Sequence, residues 1–416
     1  MTDLLITNLA EVATPTGRTP RRGRAQGAID RHRNAAVLCR GGVIEFVGDE
    51  DGLRLHFGEL QDVEHLDGRG GSLIPGFVDA HTHLPWAGSR ELEFAQRLSG
   101  ATYQEISAAG GGILATVRAT RDADEDALVE LVSRRVDRML EMGTTTAEAK
   151  SGYGLNLDDE LKQLRAIRRA NENHPVDLTA TLLAAHETPP EYRDDRERYL
   201  DIVCKEIVPQ VAEEKLARFS DVFCEHGVFS QAESRRVLEA GVRYGLAPRL
   251  HADEFVDSGG AELAAELGAL SADHLIAISD AGIEALAASG VTAVLLPGTS
   301  FFLMKRTYAP ARRLIDAGVA VALATDCNPG SSHTESMPMV IVLAVFEMGL
   351  SIEEALTAAT LNAACSLGLG NEIGSIEAGK RADLVLLDAP NAFHLAYHYG
   401  INPVAAVVKN GRVVKT

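Results

Sequence analysis

The chain of 416 residues has 59 acidic and 40 basic side chains, which gives a formal net charge of −19. Hydrophobic residues make up 46% of the sequence and charged residues 24%, so disorder is excluded as the main state. Such an acidic chain is also a poor partner for nucleic acid or for an anionic membrane. The longest apolar stretch, Met339–Phe346, is far shorter than the roughly 18 residues of a membrane span. We therefore expect an enzyme that acts on a small molecule.

The cysteines and the first residues predict the cellular compartment. The five cysteines are scattered, and none belongs to a Cys-x-x-Cys pair. An odd number of separate thiols is typical of the reducing cytoplasm and argues against a disulfide framework. Met1–Asn8 has no basic start followed by an apolar run, so no secretory signal is predicted. We expect a cytoplasmic protein.

Both ends of the chain are predicted to be rich in β-strands. Near the N-terminus, the apolar runs Leu4–Leu9, Asn34–Cys39 and Val43–Val47 are bounded by Gly, Arg or Asp, as strands are. Near the C-terminus, Gly374–Asp388 and Val407–Val414 have the same character, with turns between apolar segments. The middle of the chain has a different pattern.

In the middle, short apolar strands alternate with helical segments. The clearest helix is Ala123–Glu141, whose apolar residues recur every three or four positions. Eight βα units over roughly 300 residues predict a (β/α)8 barrel of the TIM type, which usually takes ~250 residues plus insertions. An open, doubly wound sheet is the alternative, but no GxGxxG or GxxxxGK[ST] motif supports it. The predicted barrel strands are Leu73–Ala80, Thr144–Ala149, Leu178–Ala185, Asp221–Glu225, Ala247–Leu250, Ala272–Leu275, Thr292–Leu296 and Val319–Thr325.

The carboxyl ends of the barrel strands, where active sites of such barrels lie, are rich in histidine. His81 and His83 end the first strand two residues apart, so both imidazoles point to the same side of an extended segment. Two imidazoles held close together usually bind a common partner through their ring nitrogens, and a metal ion is the usual one. His251 and Asp326, at the ends of the fifth and eighth strands, complete a set of three imidazoles and one carboxylate. This set predicts one Zn or Fe ion per subunit.

These residues belong to motifs that resemble a known family. Pro75–His83 is similar to the metal-binding opening of the amidohydrolase superfamily, and Gly374–Leu384 resembles its C-terminal signature. The internal motifs are most similar to the branch that opens an imidazolone ring in histidine degradation, and the resemblance covers nearly the whole chain. These motifs are His83-Leu-Pro-Trp-Ala-Gly-Ser-Arg90, Gly110-Gly-Gly-Ile113, Lys150-Ser-Gly-Tyr-Gly154, Ala185-His-Glu187, His251-Ala-Asp-Glu254 and Thr325-Asp-Cys-Asn-Pro-Gly330.

The resemblance implies a fold, an assembly and an activity. The fold is a TIM-like metal-dependent hydrolase barrel, residues 71–375, with a small β-sandwich domain formed by both termini, residues 1–70 and 376–416. The assembly is a homodimer. The activity is metal-dependent hydrolysis of the cyclic amide C–N bond of 4-imidazolone-5-propanoate, which gives N-formimidoyl-L-glutamate. By the same resemblance, the metal ligands are His81, His83, His251 and Asp326.

A hydrolase of this kind needs a carboxylate that takes a proton from water and returns it to the leaving nitrogen. Glu254 and Asp326 are the candidates, and Glu254 is favoured because Asp326 is committed to the metal. His274, at the end of the sixth strand, is placed to polarise the ring carbonyl or to stabilise the oxyanion. We expect these three residues to be catalytic.

The propionate tail of the substrate needs a cation, and Arg90 can bind a carboxylate with both arms of its guanidinium. Tyr153, in a turn flanked by glycines, offers a ring face and a hydroxyl group. His186 can hydrogen-bond the ring or the tail, and we also assign Glu254 to substrate binding. The family pattern adds Asn328, Gly330 and Ser331 to the pocket.

Three further residues have a structural interpretation that we prefer to a chemical one. Lys150 could be a carbamylated bridge between two metals, but the resemblance points to a one-metal site. Cys327 has no evident activating partner and is interpreted as a small buried residue. His226 is interpreted as structural or as a residue behind the site.

Two rival functions remain open at this stage. The first is a deaminase of a ring amidine or an aminopurine, because His251-Ala-Asp-Glu254 resembles the His-x-x-Glu motif of that branch of the superfamily. The second is a non-catalytic barrel that has lost its metal. The intact set of four predicted ligands argues against the second.

Overall fold

A computed structural model describes residues 3–100, 105 and 110–416 of the chain. Its strands form two sheets of eight strands each, one from the middle of the chain and one from its two ends. The strands are β1 (Leu4–Thr14), β2 (Asp30–Arg40), β3 (Val43–Asp49), β4 (Glu64–Asp67), β5 (Ser72–Pro75), β6 (Phe77–Asp79), β7 (Thr144–Lys150), β8 (Asp177–Ala185), β9 (Phe219–Cys224), β10 (Ala247–Ala252), β11 (Ser271–His274), β12 (Thr292–Leu295), β13 (Val321–Leu323), β14 (Leu384–Leu387), β15 (Val404–Lys409) and β16 (Arg412–Lys415).

Helices follow most strands of the middle region. The helix predicted at Ala123–Glu141 begins at Glu125, because the Asp124 side chain caps it by accepting a hydrogen bond from the Ala127 N–H at 2.8 Å. Within the described residues, no helix has the length and apolarity that crossing a bilayer requires. The α-helices are Glu50–Phe57, Glu91–Leu98, Ile113–Asp122, Glu125–Glu141, Leu157–Asn173, Arg196–Ile202, Val208–Glu213, Gln231–Arg243, Gly260–Glu266, Asp280–Ser289, Pro297–Phe302, Ala311–Asp316, Met337–Met348, Ile352–Thr357, Ala363–Ser366 and His394–Tyr397.

The middle sheet is the predicted barrel. Strands β6 to β13 lie side by side in chain order, and every neighbouring pair is parallel. β6 and β13 close the ring just beyond their ends, where Thr82 and Cys327 form a parallel bridge. Beside that bridge, the Asp326 N–H donates to the His81 carbonyl oxygen at 3.0 Å. The (β/α)8 prediction is confirmed, and the ring closes at the predicted metal site.

The prediction of one barrel strand is wrong. Leu73–Ala80 is two strands, because β5 pairs with the terminal sheet and only β6 belongs to the barrel. The chain changes sheets at Gly76, where a Cβ atom would collide with the Thr145 side chain. Both strands are fully buried, so no change in hydrophobic pattern marks the break. The other seven predicted barrel strands are present.

The C-terminal segment Val407–Val414, predicted to consist of strands with turns, is confirmed as β-structure. It contains a hairpin of β15 and β16, which pair antiparallel. The turn is Asn410-Gly411, and both residues have positive φ angles, 51° and 72°. Asn-Gly is a typical two-residue hairpin turn because both residues tolerate that conformation. The sequence therefore contained the signal for this turn.

Strands from both ends build the second sheet, as expected, and its pairs are both parallel and antiparallel. Its order is β16-β15-β14-β5-β1-β2-β3, with β4 also paired to β1. Alternate residues face opposite sides of a strand, and here Leu384 and Leu386 pack into the sheet's own core. Val385 and Ile74 point the other way, into the large core that the barrel also uses. The terminal sheet therefore packs directly against the barrel.

Candidate active site

The four predicted ligands meet at the mouth of the barrel. They are almost fully buried, with no more than 3% of each residue exposed. Nε2 of His251 lies 3.4 Å from Nε2 of His83. Oδ1 of Asp326 lies 3.3 Å from Nε2 of His83 and 3.5 Å from Nε2 of His81. Side chains that are as far as 245 residues apart in sequence thus surround a common point.

Hydrogen bonds on the outer side of two rings fix which nitrogen faces that point. Nδ1 of His81 lies 2.7 Å from an oxygen of Asp273, and Nδ1 of His251 lies 3.1 Å from Asp221. A carboxylate accepts, so Nδ1 carries the proton in both rings and Nε2 is left with a lone pair. Nε2 of His81 is buried without a hydrogen-bond partner among the described residues.

Lone pairs and a carboxylate oxygen at such distances repel one another unless a cation lies between them. The ligand atoms of His81, His83 and His251 all lie within 4.8 Å of one another. Three nitrogens and one oxygen are a donor set that suits Zn²⁺ and Fe²⁺ alike, so the residues fit a metal ion without selecting between the two. The buried cluster is therefore consistent with a metal site.

Five buried charged residues, which we call the ionic floor, lie beneath this cluster. Nζ of Lys150 is 2.8 Å from oxygens of both Glu148 and Asp221, and Nη2 of Arg249 is 3.4 Å from Asp273. Burial alone would lower the pKa of Lys150, but Asp221 and Glu148 outweigh it and raise that pKa above the usual value. Lys150 is thus an ammonium group held by two carboxylates, which favours its structural interpretation. The members of the floor are Glu148, Lys150, Asp221, Arg249 and Asp273.

Two site residues leave their strands in the left-handed conformation. φ is 77° at His274 and 53° at Asp326, and such angles are uncommon for residues other than glycine. The turn at Asp326 is held by its side chain, because Oδ2 accepts a hydrogen bond from the Thr299 hydroxyl at 2.6 Å. Both ring nitrogens of His274 are buried without a partner in the described part of the chain. They are therefore available to a ligand.

His274 and Glu254 form a pair of titratable groups with opposite shifts. Nδ1 of His274 lies 3.8 Å from Oε2 of Glu254. Burial lowers the pKa of His274 to about 3. Burial also raises the pKa of Glu254 to about 8, and the negative charge of Asp326 adds to that rise. The pair therefore combines a neutral imidazole with a carboxyl group that binds a proton unusually well.

A cavity of about 250 Å³ opens above the cluster, and every predicted substrate-binding residue lines its wall. Its wall also includes five residues that sequence reasoning did not select, one of them an arginine. The predicted residues are Arg90, Tyr153, His186, Glu254, Asn328, Gly330 and Ser331, and the additional ones are Arg97, Ile113, Phe223, Phe255 and Leu303.

The Asn328–Ser331 turn fits against Arg90. Oδ1 of Asn328 accepts hydrogen bonds from the N–H groups of Gly330 and Ser331, both at 2.8 Å. A Cβ atom on Gly330 would collide with Nη1 of Arg90. Arg90 is also held by Glu93, whose Oε2 lies 2.9 Å from Nε and 2.8 Å from Nη2. Nη1 is thus the arm of Arg90 that Glu93 does not occupy.

His186 and Tyr153 form one wall of the cavity. The ring of His186 stacks on that of His83, with the centroids 5.1 Å apart and the planes at 18°. Nδ1 of His186 lies 3.0 Å from the carbonyl oxygen of Gly152, which accepts a hydrogen bond from the Nδ1–H group and leaves Nε2 as an acceptor. Burial raises the pKa of Tyr153 well above its usual value, so its phenol stays a neutral donor.

Sequence reasoning missed Asp221 and Asp273, because it considered only the ends of strands. The available signal was an acidic residue inside a predicted buried strand, because a buried carboxylate needs a partner. His226 is not part of the cavity and instead borders a separate surface cleft with Arg196 and Asp257. Cys327 is buried, and burial raises its pKa well above the usual value, which agrees with a structural role.

A parallel barrel with a buried cluster of this kind at its mouth is typical of metal-dependent hydrolases. Residues 72–414 match the amidohydrolase family. Over 417 residues, the chain is 51% identical to an imidazolonepropionase of Geobacillus sp. (strain WCH70), which covers 100% of this chain and 98% of that protein. It is 48% identical to an imidazolonepropionase of Porphyromonas gingivalis (strain W83), with 100% and 98% covered. The chain belongs to the amidohydrolase family and, within it, to the imidazolonepropionases.

Solved structures of two deaminases have a similar fold. An E. coli guanine deaminase superposes with a TM-score of 0.75 at 18% identity, covering 100% of this chain and 99% of that one. A zinc-containing adenosine deaminase from Xanthomonas campestris gives a TM-score of 0.72 at 22% identity, covering 99% and 92%. At these identities the similarity establishes the fold alone, and it does not favour deamination.

Proposed function

We propose that this enzyme hydrolyses the ring C–N bond of 4-imidazolone-5-propanoate to give N-formimidoyl-L-glutamate. One Zn or Fe ion would be held by His81, His83, His251 and Asp326. The observation that carries the proposal is that a single cavity joins this cluster to a carboxyl group of raised pKa and to a guanidinium. Membership of the imidazolonepropionases supplies the substrate.

When bound, the ion supplies Lewis acidity and makes hydroxide available near neutral pH. Glu254 accepts the proton of the attacking water, and its raised pKa makes its carboxylate a stronger base than an ordinary one. Addition of water to the ring carbonyl carbon is followed by cleavage of the bond to the ring nitrogen. Glu254 then returns the proton to that nitrogen, which becomes the terminal nitrogen of the formimidoyl group and stays attached to the product through the other ring nitrogen.

His274 and the cavity wall position the substrate for this step. His274 is neutral, so one ring N–H can donate to the carbonyl oxygen as negative charge grows there. The carboxylate tail binds the free arm of Arg90, and Tyr153 and His186 hold the ring from the side. Asn328 and Ser331 fix the turn whose glycine lets Arg90 approach.

The assembly and the location are proposed from the family resemblance and the scattered thiols. We propose a cytoplasmic homodimer, which light scattering after size-exclusion chromatography would test. We also propose two domains, a barrel and a terminal domain. Because β5 pairs within the terminal sheet, the first boundary is better placed at Gly76 than after residue 70.

A substrate comparison tests the function. Purified, metal-loaded protein is incubated separately with 4-imidazolone-5-propanoate, guanine and cytosine, and ring opening and ammonia release are both measured. We expect ring opening of the imidazolone without ammonia release. Ammonia release from guanine or cytosine, with no opening of the imidazolone ring, would show that the proposal is wrong and that the chain is a deaminase.

Removal of a ligand links the activity to the cluster. We expect His251→Ala to lose both the metal and the ring-opening activity, because only three donors remain. His226→Ala is the matched control, since His226 lies outside the cavity, and it should keep both. Elemental analysis of the unsubstituted protein should find close to one ion per chain. A content below about 0.2 would favour a scaffold that has lost its metal, because an intact set of supporting residues retains metal.

A further inference from the structure

Three charged side chains lie together on one face of helix Glu91–Leu98 and the residue that precedes it. Arg90, Glu93 and Arg97 are three and four residues apart, and residues at this spacing are neighbours on a helical surface. Both arginines line the active-site cavity. Glu93 binds Arg90 through Oε2, and its Oε1 accepts a hydrogen bond from the Gly112 N–H at 3.1 Å. Glu93 is therefore already engaged on both oxygens.

The guanidinium of Arg97 packs against aromatic rings, but one of its nitrogens lacks a hydrogen-bond acceptor among the described residues. It lies over the rings of Phe94 and Phe302, at 5.5 and 5.3 Å from their centroids, and these two rings stack on each other 4.9 Å apart. Its Nε is buried and has no hydrogen-bond partner among the described residues. Aromatic faces hold a guanidinium in place but accept no conventional hydrogen bond. A buried donor of this kind is costly until an acceptor arrives.

The net charge of Arg90, Glu93 and Arg97 indicates which chemical group that acceptor belongs to. Two guanidinium groups and one carboxylate leave a net positive charge at this wall, in a chain whose overall charge is −19. The neighbouring wall is apolar, with Ile113 and Leu303 facing the same cavity. A cavity of about 250 Å³ admits a small heterocycle with a short side chain. The complementary group is thus a carboxylate at the end of a short methylene chain.

We propose that Arg97 is a specificity-determining residue that binds the carboxylate of the substrate tail together with Arg90. Each guanidinium offers a donor that no described residue engages, Nη1 of Arg90 and Nε of Arg97. A substrate with a neutral tail leaves both arginines without an anion, so the wall selects for charge as well as for length. The inference rests on the proposed function, because the ring is taken to lie at the metal end of the cavity.

Binding of two probes to the metal-loaded protein tests this role without turnover. Imidazole-4-propionate carries the tail carboxylate, whereas 4-ethylimidazole has a similar ring and no carboxylate. We expect Arg97→Gln to weaken binding of imidazole-4-propionate by about tenfold, since a charge-assisted hydrogen bond is lost, and to change binding of 4-ethylimidazole by less than about twofold. Arg97→Lys keeps the charge without the planar fork and should lie between. Isothermal titration calorimetry measures all of these affinities.

A matched control removes the same charge elsewhere. Arg138→Gln changes an exposed arginine that pairs with Glu335 outside the cavity, and it should leave both affinities unchanged. The proposal is overturned if Arg97→Gln weakens both probes equally, leaves both unchanged, or acts no differently from Arg138→Gln. If Arg97→Gln fails to fold, Arg97→Lys decides, because a structural role alone would not change the ratio of the two affinities.

The proposed function has its own separate outcome. Failure of the unsubstituted enzyme to open the imidazolone ring contradicts the proposed function, whatever the probes show. Ring opening with normal probe selectivity in Arg97→Gln contradicts only the role of Arg97. Kinetics supply a second readout, because Arg97→Gln should raise KM about tenfold with little change in kcat if it loses one tail contact.

Discussion

The active site is built from two charged regions that differ in how their charges are balanced. The ionic floor lies under the ligand cluster, and none of its five side chains is more than 1% exposed. At the mouth of the cavity, Arg90, Glu93 and Arg97 are only partly buried, and Nε of Arg97 has no hydrogen-bond partner in the part of the chain that the structure describes. The floor pairs its charges with one another, whereas the mouth keeps positive charge available. The ionic floor thus suits a permanently bound ion, whereas the mouth suits a substrate that binds reversibly.

The two regions also differ in origin. The floor takes Lys150 from β7, Asp221 from β9, Arg249 from β10 and Asp273 from β11, so only a closed barrel brings them together. Buried ions are tolerated when each has partners of good geometry, and removing one partner is strongly destabilising. The mouth is local, because its three residues follow from the spacing of one helix. The substitutions below test whether the regions act separately.

The largest effect is expected between the two regions, at Glu254. We expect Glu254→Gln to lower kcat by about 10²–10⁴-fold, because the amide cannot shuttle a proton. The metal content should stay close to normal, because Glu254 is not one of the predicted ligands. Steady-state kinetics and elemental analysis measure these quantities, and Glu172→Gln on an exposed helix face is the matched control. Retention of kcat within a few-fold would assign the proton to Asp326 or His274 instead.

A smaller effect is expected in the floor. Asp273 accepts from Nδ1 of His81, so Asp273→Asn should weaken metal binding about 10–100-fold. The counterpart at the mouth is Glu93→Gln, which should leave metal affinity unchanged and alter KM. Competition with a chelator measures the metal affinity of both variants. Equal losses in the two variants would mean that floor and mouth are not separate.

The third prediction concerns the mouth alone. The added methyl group of Gly330→Ala collides with Nη1 of Arg90, which is the flexible end of a side chain. The protein should therefore fold with a nearly unchanged Tm while the guanidinium moves. We expect KM to rise about tenfold, the effect of losing one charge-assisted hydrogen bond. An unchanged KM would show that Nη1 does not bind the tail.

The smallest effect is expected outside both regions. Arg138 is 63% exposed and lies 3.3 Å from Glu335. Arg138→Gln should change the free energy of unfolding by less than about 1 kcal/mol, because exposed ion pairs contribute little. Metal content and KM should not change. A larger loss in chemical denaturation would mean that surface charge contributes to this fold more than expected.

The sequence by itself determined the features that depend on local spacing. The alternation of strands and helices predicted the barrel, and two histidines two residues apart predicted ligands on one side of a strand. The Asn410-Gly411 turn was also present as a local signal. Position at a strand end was enough to select His251, His274 and Asp326, since parallel strands end at one mouth.

Only the tertiary structure decided which buried charges pair and where the chain changes sheets. Ser72–Asp79 is buried throughout, so the division into β5 and β6 depends on their neighbours. Asp221 and Asp273 acquire their roles from histidines on other segments, and Arg97 faces the cavity because its helix packs against Phe302. The physical reason is that periodicity reports which side of an element is buried. The partner of a buried polar atom is set by contacts between segments that are distant in sequence.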